Sequence, residues 1–281
     1  MSDLDKLFFH LEDLLGRVDR LITAVAKTEG VDEHYRAYRW HGSKLAGISD
    51  FDRVDQAELL HLDRQINLLT RNTAQFIAGQ PANNALLWGA RGTGKSSLVK
   101  AQLTTFIEQD LCIVEIPKFA IGQLFDIIQI LGKHRRKYIL YLDDLSFEAN
   151  DDAFKTLKAC LEGSLQPQPQ NIIIYATSNR RHLMPENMQD NLDSTMVDGQ
   201  LHPADGIEEK ISLSDRFGLW LSFHPFTQEQ YLAVVEQTLN TRQFVLDRAA
   251  CAEALRFATA RGSRSGRIAV QFAAYWVSLR D

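Results

Sequence analysis

The sequence lacks several features that mark membrane, secreted and metal-binding proteins. Its three cysteines are an odd number without the spacing of a metal site. No apolar run approaches the ~20 residues that cross a bilayer, and the acidic N-terminal stretch has no basic segment of a signal peptide. Basic residues are not in excess, because 31 Lys and Arg stand against 36 Asp and Glu. We therefore expect a cytoplasmic protein in a reducing compartment, with no membrane partner and no overall attraction to polyanions.

What the sequence does contain is an alternation of short apolar runs and amphipathic segments. From Ala85 to Phe223 continuous apolar runs alternate with helical segments, which is typical of a parallel sheet covered by helices on both faces. Beyond Pro225 the strands cease and three helices follow, with Thr227 and Asp247 as predicted N-caps. We predict an α/β protein in three parts: an N-terminal amphipathic helix and connector (1–54), an α/β core (55–225) and a helical domain (226–281).

Three segments lie outside this alternation. Leucines and other apolar residues recur at helical spacing over residues 4–25, which predicts an amphipathic helix that packs on the same chain or contacts a partner. Residues 30–55 have no clear period, and we interpret them as a connector lying across the core. The polar segment 182–205 is longer than a plain connection requires, so we expect it to be functional or mobile.

The most specific motif is a glycine-rich stretch directly after the apolar run at residues 85–88. It reads Gly89-Ala90-Arg91-Gly92-Thr93-Gly94-Lys95-Ser96-Ser97 and fits G-x-x-x-x-G-K-[ST] between a strand and a helix. Glycines let successive N–H groups point at phosphate oxygens, and the following helix adds its free N-terminal donors. Lys95 can reach the β- and γ-phosphates, and the Ser96 hydroxyl can hold Mg²⁺. The stretch therefore predicts a site for a nucleoside triphosphate.

Two acids follow a later apolar strand. The run Tyr138–Leu142 is followed by Asp143 and Asp144, which is the Walker B arrangement. We predict that Asp143 holds Mg²⁺ together with Ser96, and that Asp144 orients and deprotonates the attacking water. Glu148 is the alternative base. Related sheets usually carry glutamate at the second position, so either the geometry compensates for the shorter Asp144 or hydrolysis is slow.

A polar side chain also follows the next strand, which we predict at residues 172–176. Such a group would lie between the acid-tipped strand and the glycine-loop strand, because the carboxyl ends of parallel strands meet at one edge of the sheet. There it could contact the γ-phosphate or the attacking water. Asn179 is our first choice and Thr177 the second. The alternative is an asparagine that only turns the chain.

Two arginine-containing stretches complete a familiar set of motifs. Ser212-Leu213-Ser214-Asp215-Arg216-Phe217-Gly218 precedes the last strand, and Arg261-Gly262-Ser263-Arg264-Ser265-Gly266-Arg267 begins the last helix. With these motifs the chain resembles an AAA+ ATPase. More narrowly, over residues 35–281 it resembles a bacterial family of predicted AAA+ ATPases known only as a domain of unknown function. The phrases that carry this resemblance are Leu87-Trp88-Gly89-Ala90-Arg91-Gly92-Thr93-Gly94-Lys95-Ser96-Ser97-Leu98, Asp143-Asp144-Leu145-Ser146-Phe147-Glu148 and Tyr175-Ala176-Thr177-Ser178-Asn179-Arg180-Arg181.

The resemblance implies ATP and Mg²⁺ as ligands, and a parallel five-stranded sheet in the order 5-1-4-3-2 with a helical lid. It gives Arg216 the arginine-finger position, supplied in trans to a neighbour. Arg267 matches the second sensor, which reads the γ-phosphate from the same chain, with Arg264 as its rival. A solvated surface charge is the alternative for each arginine. The adenine is expected near Leu60, His61 and Leu62, with Leu62 as the predicted contact; relatives usually have glycine in place of His61.

The expected function is Mg²⁺-dependent ATP hydrolysis by a homo-oligomer that carries nucleotide at its subunit interfaces and remodels a macromolecular partner. An ATP-gated adaptor or loader with little intrinsic hydrolysis is the first alternative, and a P-loop kinase acting on a small acceptor is the second. A nucleic acid partner stays open, but no interleaving of aromatic and basic residues indicates one.

Overall fold

The computed structural model describes residues 31–42, 44–147, 151–162, 168–180, 183, 195–197, 200–202, 213 and 215–280. The predicted helix at residues 4–25 and the alternative base Glu148 lie outside these ranges and stay predictions. Within the described ranges, no helix combines the length and the apolar character needed to cross a membrane.

A mixed β-sheet forms the centre of the described chain. The strands are β1 (Ala37–His41), β2 (Lys44–Ile48), β3 (Ala85–Gly89), β4 (Leu111–Glu115), β5 (Lys137–Leu142), β6 (Ile172–Ser178), β7 (Thr195–Val197), β8 (Gln200–His202) and β9 (Leu219–Phe223). Seven of them form one sheet in the order β2-β1-β4-β5-β6-β3-β9. All of its strand pairs are parallel except β1 with β2. The remaining two, β7 and β8, form a separate antiparallel pair within the segment predicted as a long polar loop.

The prediction of a five-stranded sheet is wrong, because β1 and β2 add a hairpin at one edge. The segment interpreted as a connector lying across the core is instead part of the sheet. Tyr38 and Trp40 of β1 are buried and alternate with exposed residues, which is the period of a half-buried strand. The indole of Trp40 donates a hydrogen bond to Gln123, and Arg39 pairs with Glu115 of the neighbouring strand at 2.8 Å. These contacts attach the hairpin to the edge of β4.

The strands after the hairpin position the motifs. β4, β5, β6, β3 and β9 follow one another across the sheet, so the glycine-loop strand β3 lies between β6 and β9. The acid-tipped strand β5 is two strands from β3, on the far side of β6. Since these strands are parallel, their carboxyl ends lie at the same edge of the sheet. The glycine loop, the paired acids and Asn179 follow these strand ends and therefore lie at that edge.

Helices cover both faces of the sheet. Successive residues of a strand point to opposite faces. In β5, Leu140 faces one core and Ile139 the other. The helices of this part are α1 (Asp63–Ile77), α2 (Lys95–Thr105), α3 (Leu124–Gly132) and α4 (Asp152–Glu162), with short 3₁₀ segments at Gln56–Glu58, Ile107–Gln109 and Lys118–Gln123. α1 and α2 pack on the face of Ile139, and α3 and α4 pack on the face of Leu140.

Three C-terminal helices form a separate core of their own. They are α5 (Gln228–Asn240), α6 (Arg248–Ala260) and α7 (Gly266–Ser278), and they bury Tyr231, Phe272 and Trp276 among small residues. The predicted caps are confirmed, because the side chain of Thr227 accepts from Gln230 N and that of Asp247 accepts from Ala250 N. Ser265 caps α7 in the same way, accepting from Ile268 N. The first turn of α7 is the part that reaches the glycine loop.

Candidate active site

The glycine loop leaves β3 at Gly89, where a residue with a side chain would not fit. At Gly89 φ is 134°, and a Cβ there would lie 1.9 Å from the carbonyl oxygen of Phe223. That same oxygen accepts the N–H of Ala90 at 3.0 Å, which ties the start of the loop to β9. The loop ends at Gly94, the N-cap of α2. The free N–H groups of this helix terminus therefore lie where the motif requires them.

Lys95 is the most constrained cation of the site. Its Nζ donates to the carbonyl oxygens of Gly89 at 2.9 Å and Ala90 at 2.7 Å, and to Asn179 Oδ1 at 3.2 Å. Burial lowers the pKa of Lys95 to about 8, although the nearby charges of Asp144 and Asp143 act in the opposite direction. An anion arriving at the loop would favour the ammonium form, because it supplies the negative charge that a buried cation lacks.

The carboxylate of Asp143 lies at the end of β5 and faces α2. Its Oδ1 accepts the hydroxyls of Ser96 at 2.8 Å, Tyr141 at 2.6 Å and Thr177 at 2.6 Å. Burial opposes ionisation of Asp143, but the hydrogen bonds from Thr177, Tyr141 and Ser96 outweigh it, so the pKa of this carboxyl is lowered. Asp143 is thus held as an anion beside the hydroxyl of the glycine-loop motif, as the sequence predicts.

Asp144 has a different environment from its neighbour. Its φ is 50°, in the left-handed region that Asp and Asn tolerate better than other side chains. Its N–H donates to Thr177 Oγ1 at 2.9 Å, and its Oδ1 accepts from the amide of Asn179. Because Asn179 also accepts from Lys95, one amide connects the cation of the loop to the predicted base.

A cleft of about 1050 Å³ opens beside these groups. One wall comes from the glycine loop and the strand ends, including Lys95, Ser96, Asp143, Asp144 and Asn179. The opposite wall comes from the helical part, and Leu60 and Leu62 line the cleft near the start of α1. The remaining wall residues are Asp52, Val54, Glu58, Leu59, Arg91, Gly92, Thr93, Gly94, Ser97, Thr177, Phe226, Val234, Gln237, Thr238, Thr241, Gly266, Arg267, Val270 and Gln271. The volume and the apolar-plus-polar walls suit a nucleotide.

The predicted adenine region has one residue in a special conformation. His61 has φ 62°, and its ring meets that of Phe226 edge to face at 6.4 Å between centroids. Leu62 lies against the loop, since a Cβ on Gly94 would be 2.8 Å from its Cδ1. His61 thus has a backbone conformation that glycine adopts more freely than other residues.

The two arginines of the family motifs lie in different places. Arg267 lines the cleft from the first turn of α7, and its N–H donates to Gly92 O at 3.3 Å. Its rival Arg264 contributes a backbone carbonyl to Phe226 N. Arg216 does not line this cleft; it pairs with Glu162 at 2.9 Å, and its side chain is 44% exposed. Among the residues that the structure describes, the glycine loop and the cleft bring together the predicted site residues except Arg216. Their roles stay predictions.

Comparison with known proteins assigns the family. Residues 33–280 match the family described as "Protein of unknown function (DUF815)". The chain belongs to this family. No curated protein matches its sequence. This match confirms the narrower resemblance stated from the sequence, which is to a family known only as a domain of unknown function.

Two solved structures share the fold of this DUF815 member. One is the RuvB Holliday junction branch migration motor of Thermotoga maritima, with a TM-score of 0.51, 15% identity, and coverage of 79% of this chain and 61% of RuvB. The other is the Orc1 protein of Aeropyrum pernix in complex with DNA, with a TM-score of 0.53, 18% identity, and coverage of 80% and 64%. At these identities the likeness is one of fold. This chain spans less than two thirds of the length of either protein.

The donor set of the DUF815 chain fits Mg²⁺. Ser96 and Asp143 offer a hydroxyl and a carboxylate, the hard oxygen ligands that this cation prefers. Across the described ranges no group of three or more His, Cys, Asp or Glu side chains could form a protein-only metal site. A site with one carboxylate is what a magnesium nucleotide needs, because phosphates and water supply the remaining ligands.

Sequence reasoning missed two features of the site. Tyr141 is a buried core residue of β5, yet its hydroxyl donates to the carboxylate of Asp143. Glu162, the partner of Arg216, is distant in sequence and carries no motif. A tyrosine two residues before a strand-end acid is a signal that could have been read, because residues i and i+2 of a strand share a face. Nothing local indicated Glu162.

Proposed function

We propose that this protein is an AAA+ ATPase that binds ATP with Mg²⁺ and hydrolyses it to ADP and phosphate. The observation that carries the proposal is the Lys95–Asn179–Asp144 chain next to the Ser96–Asp143 pair, all on one wall of a nucleotide-sized cleft. Cation, metal ligands, base and amide are the groups that phosphoryl transfer to water requires. We divide the chain functionally into a core at residues 55–225, extended by the β1–β2 hairpin, and a lid at residues 226–281.

Each residue has a defined task in this proposal. Lys95 exchanges its loop carbonyls for phosphate oxygens, and the N–H groups at the start of α2 bind the same anion. Ser96 and Asp143 would hold Mg²⁺, which would supply positive charge to the phosphates. Asp144 accepts the proton of the attacking water while Asn179 orients that water. Arg267 approaches the γ-phosphate from the lid of the same chain.

The proposal extends to assembly. Arg216 lies outside the cleft of its own chain and is partly exposed, which suits a finger offered to a neighbour's γ-phosphate. We propose a homo-oligomer with nucleotide at its interfaces that remodels a macromolecular partner. We do not propose DNA as that partner, although RuvB is a Holliday junction branch migration motor and the Orc1 structure is a complex with DNA. The chain has a run of basic residues at 133–137, but two of them bind groups of the chain itself: Arg136 donates to Tyr35 O and Lys137 donates to Gln170 O.

A test of this function measures phosphate release per subunit over a range of protein concentrations, with mass followed by light scattering. We expect turnover in the wild type that rises with concentration and mass, and none in Lys95→Ala. Product analysis separates hydrolysis from transfer to an acceptor, which a kinase would show. Equal turnover in wild type and Lys95→Ala would contradict the proposal.

An adaptor gated by ATP is a second candidate, favoured by one observation. In this structure Asp144 is already bonded to Asn179, so the predicted base has a partner before any water arrives. Such a protein would bind ATP and hydrolyse it slowly until a partner rearranges the pair. Turnover of ~1 per second or faster by the isolated protein, which is within the ordinary range of enzymes, would contradict this candidate.

A further inference from the structure

One carboxylate oxygen of the site is surrounded by three hydroxyl groups. Asp143 Oδ1 accepts from Ser96, Tyr141 and Thr177, each within 2.8 Å. An ionised carboxylate only accepts hydrogen bonds, and each hydroxyl has a single proton to donate. Ser96 belongs to the glycine-loop motif and has its own task at the metal. Tyr141 has no role in the proposed function, and Thr177 is only the second choice, after Asn179, for the polar group that contacts the γ-phosphate or the water.

The hydroxyl of Thr177 is oriented by a second contact. Its Oγ1 accepts the N–H of Asp144 at 2.9 Å, so its one proton is left for Asp143. Thr177 thereby contacts both acids, binding the side chain of one and the backbone of the other. Because Asp144 has a positive φ, this bond also holds the chain in its left-handed turn.

The second hydroxyl comes from the acid-bearing strand itself. Tyr141 is buried and belongs to β5, two residues before Asp143. Thr177 belongs to the adjacent strand β6. Both donors are therefore carried by central strands of a buried sheet, and such elements place side chains more accurately than loops do.

We propose that Tyr141 and Thr177 are positioning residues for magnesium. They hold the Asp143 carboxylate in one orientation, in which Oδ1 faces Ser96 and accepts hydrogen bonds from all three hydroxyls. The capacity to bind the cation then falls to the other carboxylate oxygen and to the lone pairs of Ser96. This inference rests on the proposed function, since it concerns how that site binds its metal.

The test measures metal affinity without hydrolysis. The full chain is saturated with a non-hydrolysable ATP analogue, and Mn²⁺ binding is followed by electron paramagnetic resonance, with Mg²⁺ as competitor. We expect Tyr141→Phe and Thr177→Val each to weaken metal binding about tenfold or more, as loss of hydrogen bonds to metal ligands does elsewhere. Thr177→Ser keeps the hydroxyl and should restore the wild-type affinity. Affinity for the analogue in EDTA should not change.

Tyr175→Phe is the matched control. Tyr175 pairs with Tyr141 in the β5–β6 register and is also buried, and its hydroxyl forms hydrogen bonds with the neutral side chains of Asn72 and Thr73. Its loss removes a buried phenol hydroxyl without touching Asp143, so metal affinity should stay at the wild-type value.

The outcomes separate this inference from the function on which it rests. Wild-type metal affinity in both Tyr141→Phe and Thr177→Val, or an equal loss in Tyr175→Phe, would overturn the positioning role alone. If Mn²⁺ adds nothing to analogue binding by the wild type, the proposed function fails, and this inference with it.

Discussion

At the scale of single residues, Lys95 should make the binding of ATP depend on pH. Because burial lowers the pKa of Lys95 to about 8, the free protein holds the ammonium form below that pH and loses it above. ATP favours the charged form, so binding at about pH 9 should take up a proton, and affinity should fall by up to about tenfold per unit above pH 8.

Calorimetry in two buffers of different ionisation heat measures this proton uptake. Lys95→Arg is the control, because a guanidinium stays charged throughout this pH range and has no proton to gain. Equal uptake by wild type and Lys95→Arg would show that the proton goes to another group.

Asp144 combines a strained backbone with the role of predicted base. Asparagine tolerates a positive φ as well as aspartate does, so Asp144→Asn should leave the unfolding temperature and ATP binding unchanged. Hydrolysis should fall roughly 10²-fold or more, the usual contribution of a general base. Asp110→Asn is the control, since Asp110 also has a positive φ (56°) but lies away from the cleft. Unchanged hydrolysis in Asp144→Asn would show that another residue is the general base.

At the scale of elements, the first turn of α7 rests on the glycine loop. Gly92 has φ 73°, and a Cβ there would lie 2.8 Å from Ser265 Oγ and 3.0 Å from Arg267 Cβ. Gly79 has nearly the same φ, 71°, with nothing within 4 Å of its Cβ position. Gly79→Ala should therefore cost only the backbone strain of about 1–2 kcal/mol. Gly92→Ala should destabilise further and weaken ATP binding, because it pushes the lid away from the loop.

Denaturant unfolding and ATP titration of both alanine variants check this contact. The difference between them isolates the lid contact from the strain that they share. Identical unfolding free energies for Gly92→Ala and Gly79→Ala would mean that the contact between α7 and the loop contributes nothing to stability.

The same scale shows how far the sequence predicts the fold. Strands β3, β5 and β6 lie within two residues of their predicted bounds, because buried parallel strands are continuous apolar runs between turn residues. The hairpin β1–β2 is not predicted, because the alternation of Tyr38 and Trp40 with polar residues covers only five positions and β2 has no buried residue. The meeting of Asp143 with Ser96 was predictable from parallel topology. The contacts of Tyr141 and Glu162 depend on packing between elements that no local pattern encodes.

At the scale of the whole molecule, the site of one chain lacks the predicted finger. Arg216→Ala should leave ATP binding nearly unchanged but reduce turnover by about 10³-fold, the lower end of what such fingers contribute. Arg256→Ala is the control: Arg256 also forms one exposed pair, with Glu253 at 3.0 Å, so it loses a comparable surface contact. Equal turnover in Arg216→Ala and Arg256→Ala would show that Arg216 is an ordinary surface charge and not an arginine finger.

In the proposed oligomer, ATP is hydrolysed where Lys95 of one chain meets Arg216 of another. Phosphate release from an equimolar mixture of Lys95→Ala and Arg216→Ala tests this shared site. Each variant alone should be inactive, whereas some interfaces of the mixture combine an intact glycine loop with an intact finger and should release phosphate. A mixture as inactive as its parts, measured while light scattering shows that the two variants assemble together, would contradict the shared site.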